Sequence, residues 1–214
     1  MARPITPPRG SRLARPARRE QLLRAAQDVF VAQGYHGAAM DDIAERAGVS
    51  KPVLYQHFPG KLELYLALLD TSIEALVARM RTALATSTDN KVRVHAAVGT
   101  YFDFVDGEGE AFRLVFESDL RNEPSVRQRV EDGLMACVDA VTDTIAGDTG
   151  VPVAQARLLS VGLTGLAEVS ARWWLERRGE ISKDEAVGLM SALAWRGLSG
   201  YPRHGDPEGG SPTA

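Results

Sequence analysis

The sequence predicts an all-α protein: an N-terminal three-helix helix-turn-helix domain followed by a larger helical body. Three observations predict it. No segment sustains the period-two alternation of a half-buried strand, and no such runs are joined by turn pairs. Apolar residues recur at helical spacing instead, as in Leu22, Ala26, Val29 and Phe30. Glycines, prolines and short polar clusters then stand where such runs should stop.

The elements follow in order. The first helix ends at Gly34, which sits where a helix C′ glycine belongs. A second covers about 41–47 and stops at Gly48; a third covers about 51–58 and stops at Pro59-Gly60. A fourth runs from about 61 to 85. Further helices are expected at about 90–105, 109–119, 124–146, 152–178 and 182–198. Punctuation such as Asp106-Gly107, Asn122-Glu123-Pro124 and Gly147 to Pro152 separates them. Residues 1–16 hold Arg3, Arg9, Arg12 and Arg15 among prolines, without an acid, and read as a flexible basic arm. The expected divisions are then 17–77 for the helix-turn-helix domain, 78–199 for the body and 200–214 for a disordered tail rich in Gly, Pro and Ser.

Charge divides the chain along the same line. Residues 1–61 hold ten Lys/Arg and five Asp/Glu, net +5, whereas 62–214 hold fifteen and twenty-three, net −8. A basic head on an acidic body suits a DNA-binding module fused to a part that does not touch DNA. The single cysteine, Cys137, lies in an apolar run and reads as a small buried hydrophobe; it excludes a disulfide framework within one chain and fits a reducing cytoplasm. No run approaches the roughly 18 apolar residues of a membrane span, and the first residues lack the apolar segment of a secretory signal. The expectation is therefore a cytoplasmic protein with no membrane partner.

Enzyme chemistry finds little support. The four histidines are scattered and pair with no second cysteine, so no metal site is expected. Neither a Gly-rich phosphate loop nor a nucleophile elbow is present, so no catalytic residues and no cofactor are expected. The carboxylates Asp103, Asp106, Glu108 and Glu110 are read as a solvated surface, and His95 as a possible polar member of a pocket.

The informative stretch runs from Met40 to Lys61. Ile43, Ala44 and Ala47 face one side of a short helix. Gly48 permits the left-handed reversal, Val49 fills the gap behind it, and Ser50 is placed to cap the next helix. Pro52 is tolerated in a first turn, where intrahelical N–H partners are absent anyway. Leu54 and Phe58 point inward. That leaves Lys51, Pro52, Val53 and Gln56 outward for base edges, with Tyr55, His57 and Lys61 placed for phosphates. Arg18 and Arg19 are further candidates for the DNA backbone.

This segment resembles the helix-turn-helix of the TetR (tetracycline repressor) family. The matching positions are Ile43, Ala44, Ala47, Gly48, Val49, Ser50, Leu54, Tyr55, His57, Phe58 and Lys61, and the match extends back through Phe30, Gly34 and Tyr35. One departure stands out: Ala38 and Ala39 lack the hydroxyl that the family usually places before its second helix. The resemblance implies a homodimer formed through the last two helices, a palindromic double-stranded DNA operator, and a body that binds a small apolar effector. It also implies a repressor that leaves its operator when the effector binds. The aromatic and soft side chains of the body are the pocket candidates: Phe102, Phe112, Phe116, Met135 and Trp173. Trp173 and Trp174 lie about 100° apart on one helix, so one should face inward and the other a partner chain.

Overall fold

The structure, a computed structural model, describes residues 14–107, 120, 122–177 and 179–197. The described residues form helices and no strand: α1 (Arg15–Gly37), α2 (Met40–Arg46), α3 (Lys51–His57), α4 (Lys61–Ala85), α5 (Asn90–Gly107), α6 (Pro124–Thr149), α7 (Val153–Glu176) and α8 (Lys183–Arg196). The expected all-α class is what the chain adopts. The helix expected at 109–119, with Glu110, Phe112 and Phe116, lies outside the described residues, as do Glu108, most of the basic arm and the tail. Arg15 and Pro16, expected within that arm, open α1 instead. Proline suits a first helical turn, because its missing N–H has no partner there.

The chain forms two compact units, one within Met1–Ser72 with Arg113–Arg129, the other within Ile73–Phe112 with Val130–Ala214. The division falls inside α4, whose buried Leu64 and Leu68 lie in the first unit and Met80 and Ala83 in the second.

In the first unit, Leu22, Ala26 and Phe30 of α1 bury the face that their spacing announced, α1 packs on α2, and Ile43, Leu54 and Leu64 are buried in the same unit. Gly34 takes φ 70°, breaking α1 before its last residues, as a C′ glycine does. The Gln21 amide donates to the Ala47 carbonyl at 2.7 Å, and Arg46 pairs with Asp28 at 2.6 Å, so the C-terminal end of α2 is fastened twice to α1. Phe30, Tyr35 and Tyr65 pack ring to ring with centroids 5.3–5.9 Å apart.

In the second unit, α5 packs on α7 and α8. The buried face of α7 is Ala156, Ser160, Thr164, Ala167, Ala171 and Trp174, a stripe of mostly small residues that lets its neighbours approach closely. Cys137 is fully buried, as expected of a small hydrophobe. Asp103 and Asp106 are not merely solvated: both hold the Lys183 ammonium, at 2.8 and 3.2 Å, and tie the end of α5 to the start of α8. Sequence spacing gave no sign of this pair, since its members lie far apart in the chain.

Candidate nucleic-acid interface and ligand cavity

The turn before α3 sets the candidate reading face. Gly48 adopts φ 64°, which L side chains rarely take, and the Gly48 and Val49 amides donate to the Glu45 and Ala44 carbonyls at 2.9 and 3.0 Å. Leu54 and Phe58 are buried and fix the rotation of α3. Lys51, Pro52, Tyr55 and Gln56 are consequently exposed, with Val53 and His57 partly covered at the edges. Ser50 stands at the N-cap position, but its side chain makes no capping bond. The reason is local: Pro52 has no amide to offer, and the Val53 amide donates to the Ser50 carbonyl instead, at 2.9 Å. Nor does α2 have a side-chain cap, as Ala39 requires; Asp41 and Asp42 complement its N-terminal dipole.

The charged groups around this face are not independent. The Lys51 ammonium reaches both Asp41 oxygens, at 2.7 and 3.0 Å, and this contact raises its pKa. Asp41 thus neutralises part of the face and fixes where Lys51 points. Lys61 has an internal role: its ammonium donates to the Tyr35 and Ala38 carbonyls at 2.8 and 2.9 Å, and lies 4.5 Å from the Tyr35 ring centroid. Two of its three donors are therefore engaged, leaving one for a phosphate. His57 is held below its ordinary pKa by burial first, then by the positive charges of Arg15, Arg18 and Arg19. The Arg19 guanidinium also covers the Phe58 ring at 5.1 Å. The first turn of α1 therefore sets three arginines around His57. Arg15 is assigned to the arm from sequence, not to this helix; the signal for its place on α1 is Pro16, a helix-opening residue beside it.

The second unit holds an apolar cavity of about 300 Å³. Its walls include Met80, Val98, Tyr101, Ile145, Leu163 and Trp195. Of the pocket candidates read from sequence, Phe112 and Phe116 lie outside the described residues, and Phe102, Met135 and Trp173 are not among the described residues that line it. Phe102 is fully buried and packs on Trp174 at 5.6 Å, and Met135 and Trp173 are substantially exposed. Phe102 and Trp173 line a shallower cleft with Met190, and the Trp173 ring carries the Arg177 guanidinium at 4.6 Å. The two adjacent tryptophans do divide as their angular separation demands: Trp174 is 7% exposed, its indole donating to the Ile181 carbonyl, and Trp173 is 46% exposed. His95 lines another open depression, beside Asp103 and Lys183. Among the described residues there is no grouping able to hold a metal ion, and no helix long and apolar enough to cross a membrane.

Comparison with known proteins agrees with this arrangement. Residues 22–68 match the family model "Bacterial regulatory proteins, tetR family". The chain is 51% identical over 194 residues to the HTH-type transcriptional activator FasR of Mycolicibacterium smegmatis, covering 91% of this chain and 89% of that protein. It is 29% identical over 136 residues to the regulator RutR of Escherichia coli, covering 61% of each. Among solved structures, a TetR-like regulator from Rhodococcus sp. RHA1 superposes with a TM-score of 0.70 at 27% identity, covering 89% of this chain and all (100%) of that one. The fold is also that of FadR from Bacillus subtilis, solved with stearoyl-CoA, with a TM-score of 0.69 at 20% identity over 84% of this chain and 98% of that one. The chain belongs to the tetR family of bacterial regulatory proteins and is a DNA-binding transcriptional regulator rather than an enzyme.

Proposed function

We propose that the chain works in the cytoplasm as a homodimer that grips a palindromic operator through two copies of α3, and that an apolar small molecule filling the cavity of the body releases it. The observation that carries this reading is the exposed outer face of α3, with Lys51, Pro52, Tyr55 and Gln56 presented behind the Gly48 turn. A helix of this size, held from behind by Leu54 and Phe58, suits a major groove, where Lys51 and Gln56 meet base edges and Pro52 and Val53 meet thymine methyls. Tyr55, His57, Lys61 and the α1 arginines then take the flanking phosphates. Effector control follows as a population shift: the effector prefers a body conformation that mis-spaces the two recognition helices. A coupling of about 1–3 kcal/mol changes affinity about 5- to 150-fold.

Release from an operator that blocks a promoter makes the protein a repressor. A second reading, activation, is favoured by the Mycolicibacterium smegmatis relative, a transcriptional activator by name. The location of the operator relative to the promoter separates the two.

The test is selection of genomic fragments by the purified protein across a range of salt, beside a Tyr55→Ala/Gln56→Ala variant. Both side chains are exposed, so this variant should fold. The expected result is a short palindrome preferred over random DNA by about 10³ or more, with salt-sensitive affinity that the variant loses. In vitro transcription from the selected site then gives the sign. No preferred site, or equal binding by the variant, overturns the reading.

A further inference from the structure

Asp41 is out of place by charge alone. It stands second in α2 and is exposed, beside Lys51 at the start of the candidate reading helix, where DNA phosphates should repel a carboxylate. Both of its oxygens take the Lys51 ammonium, at 2.7 and 3.0 Å. The Asp41 and Lys51 side chains are 63% and 55% exposed, and a pair so open to water does little for the fold. Its effect falls on what the face presents. An ammonium has three donors and a carboxylate about four lone-pair sites. The contact uses at most two of each, so the pair keeps one N–H and further oxygen lone pairs next to one another. Tyr55 follows Lys51 by one turn of α3 and lies within electrostatic reach of it, which sets the pair on the same outer face.

This donor and acceptor are spaced as a G·C pair spaces its own. In the major groove, guanine O6 accepts from cytosine N4 at about 2.9 Å, and cytosine N4 keeps a second N–H free. Lys51 Nζ stands 2.7 and 3.0 Å from the two Asp41 oxygens. Laid edge to edge, the ammonium meets O6 while the free N4–H meets the carboxylate, donor to acceptor at both contacts. T·A offers a similar couple, O4 and N6, with the wrong flanks: the thymine methyl crowds the ammonium, and adenine N7 repels the carboxylate. In G·C the flanks agree, since guanine N7 attracts the ammonium and cytosine C5 carries only hydrogen.

We propose that Asp41 is a specificity-determining residue: with Lys51 it makes one unit that reads a single G·C pair in each half-site, Lys51 donating to the guanine and Asp41 accepting from the free N4–H of the paired cytosine. This deepens the operator reading and rests on it. A lysine already held in place gives up little side-chain freedom on binding. The cytosine amine offsets the repulsion between Asp41 and the phosphates, so the carboxylate favours the right base pair and penalises the others.

The test uses the full chain and the operator that it selects. Fluorescence anisotropy gives the affinity for every single base-pair change in the half-site, for wild type, Asp41→Ala and Lys51→Ala. Wild type should prefer G·C at one position by about tenfold or more, and both variants should lose that preference there while keeping those at other positions. A modified base probes the same position without any variant. N4-methylcytosine keeps the base pair but blocks the free N4–H; it should weaken wild type about tenfold and leave Asp41→Ala within about twofold. Asp41→Ala should melt with wild type, as an exposed pair implies, and the methylated operator decides on wild type whatever the variant's stability. A preferred operator that tolerates N4-methylcytosine throughout, with base preferences that survive Asp41→Ala, overturns the role of Asp41 and leaves operator reading standing. A uniform gain of affinity for all sequences in Asp41→Ala overturns it too, since Asp41 would then only repel phosphates. No preferred operator for wild type overturns that role and the operator reading together.

Discussion

Lys61 shows how one residue can serve the fold first and its ligand second. From sequence it is a phosphate contact; in the structure it closes the turn between α1 and α2 by donating to the Tyr35 and Ala38 carbonyls. Replacing it with Met keeps the stem and leaves both carbonyls unpaired. The Lys61→Met head should lose about 2 kcal/mol of stability in chemical denaturation, in the range measured for hydrogen bonds to a charged donor. A loss of DNA affinity without that loss of stability would instead make Lys61 a phosphate contact alone. His57 is governed by its neighbours in a different way. Its pKa is lowered in the folded state, so the unfolded chain binds the proton more readily. The native state is therefore favoured above the unfolded value of about 6.5, and that contribution is lost as pH falls through it toward the lower folded value. Chemical denaturation across pH should show this slope flattened in His57→Gln. A phosphate arriving beside His57 acts oppositely and raises its pKa. DNA binding should then take up a proton, and affinity should rise as pH drops from about 7.5 to about 6 in wild type more than in the variant.

At the scale of elements, the clearest features in the sequence were interruptions. Gly34, Gly48 and Pro59-Gly60 placed the ends of α1, α2 and α3, because each carries a backbone constraint that acts locally. At Gly48 that constraint is isolated: φ is 64°, and a Cβ there would meet nothing within 4 Å. Gly48→Ala should therefore cost about 1 kcal/mol through backbone strain alone, and Gly48→Asn less, because Asn tolerates the left-handed region. Thermal denaturation of the two variants checks the order; equal losses would mean that space rather than φ limits this turn. Interruptions misled where glycine leaves a helix intact. Gly147 was read as a stop, yet α6 continues to Thr149, since a lone helical glycine costs only about 1 kcal/mol. Side-chain partners were less legible still. The hold of Asp103 and Asp106 on Lys183, and that of Asp41 on Lys51, depend on how helices turn toward one another, which periodicity within each helix does not state. The cavity escaped for the same reason. Counting aromatics favoured Phe102 and Trp173, whereas the converging faces of α5, α6 and α7 chose Tyr101, Ile145 and Leu163.

At the scale of the whole molecule, what one chain leaves exposed bears on assembly. Opposite its buried stripe, α7 presents Leu158, Val161, Val169 and Trp173 to solvent, with Gly162 and Gly165 between them, and α8 adds Leu189 and Trp195. Leu158 is 75% exposed, an unusual position for leucine beside so many apolar neighbours. Glycines inside the stripe leave room for a second helix to come close. A two-fold dimer would use the stripe twice, so any change in it is felt twice. Burying one leucine contributes about 1.5–3 kcal/mol, so Leu158→Glu should weaken the dimer by about 3–6 kcal/mol, a factor of roughly 10² to 10⁴. Sedimentation velocity should show this variant as a folded monomer at concentrations where wild type is dimeric. Its affinity for a full palindrome should fall to that for a half-site, and its salt slope should shrink with the number of phosphates contacted, because two recognition helices must be tied together to span successive major grooves about 34–36 Å apart. A Leu158→Glu protein that remains dimeric would move the interface away from this face. One that becomes monomeric yet binds the palindrome as before would separate dimerisation from operator recognition.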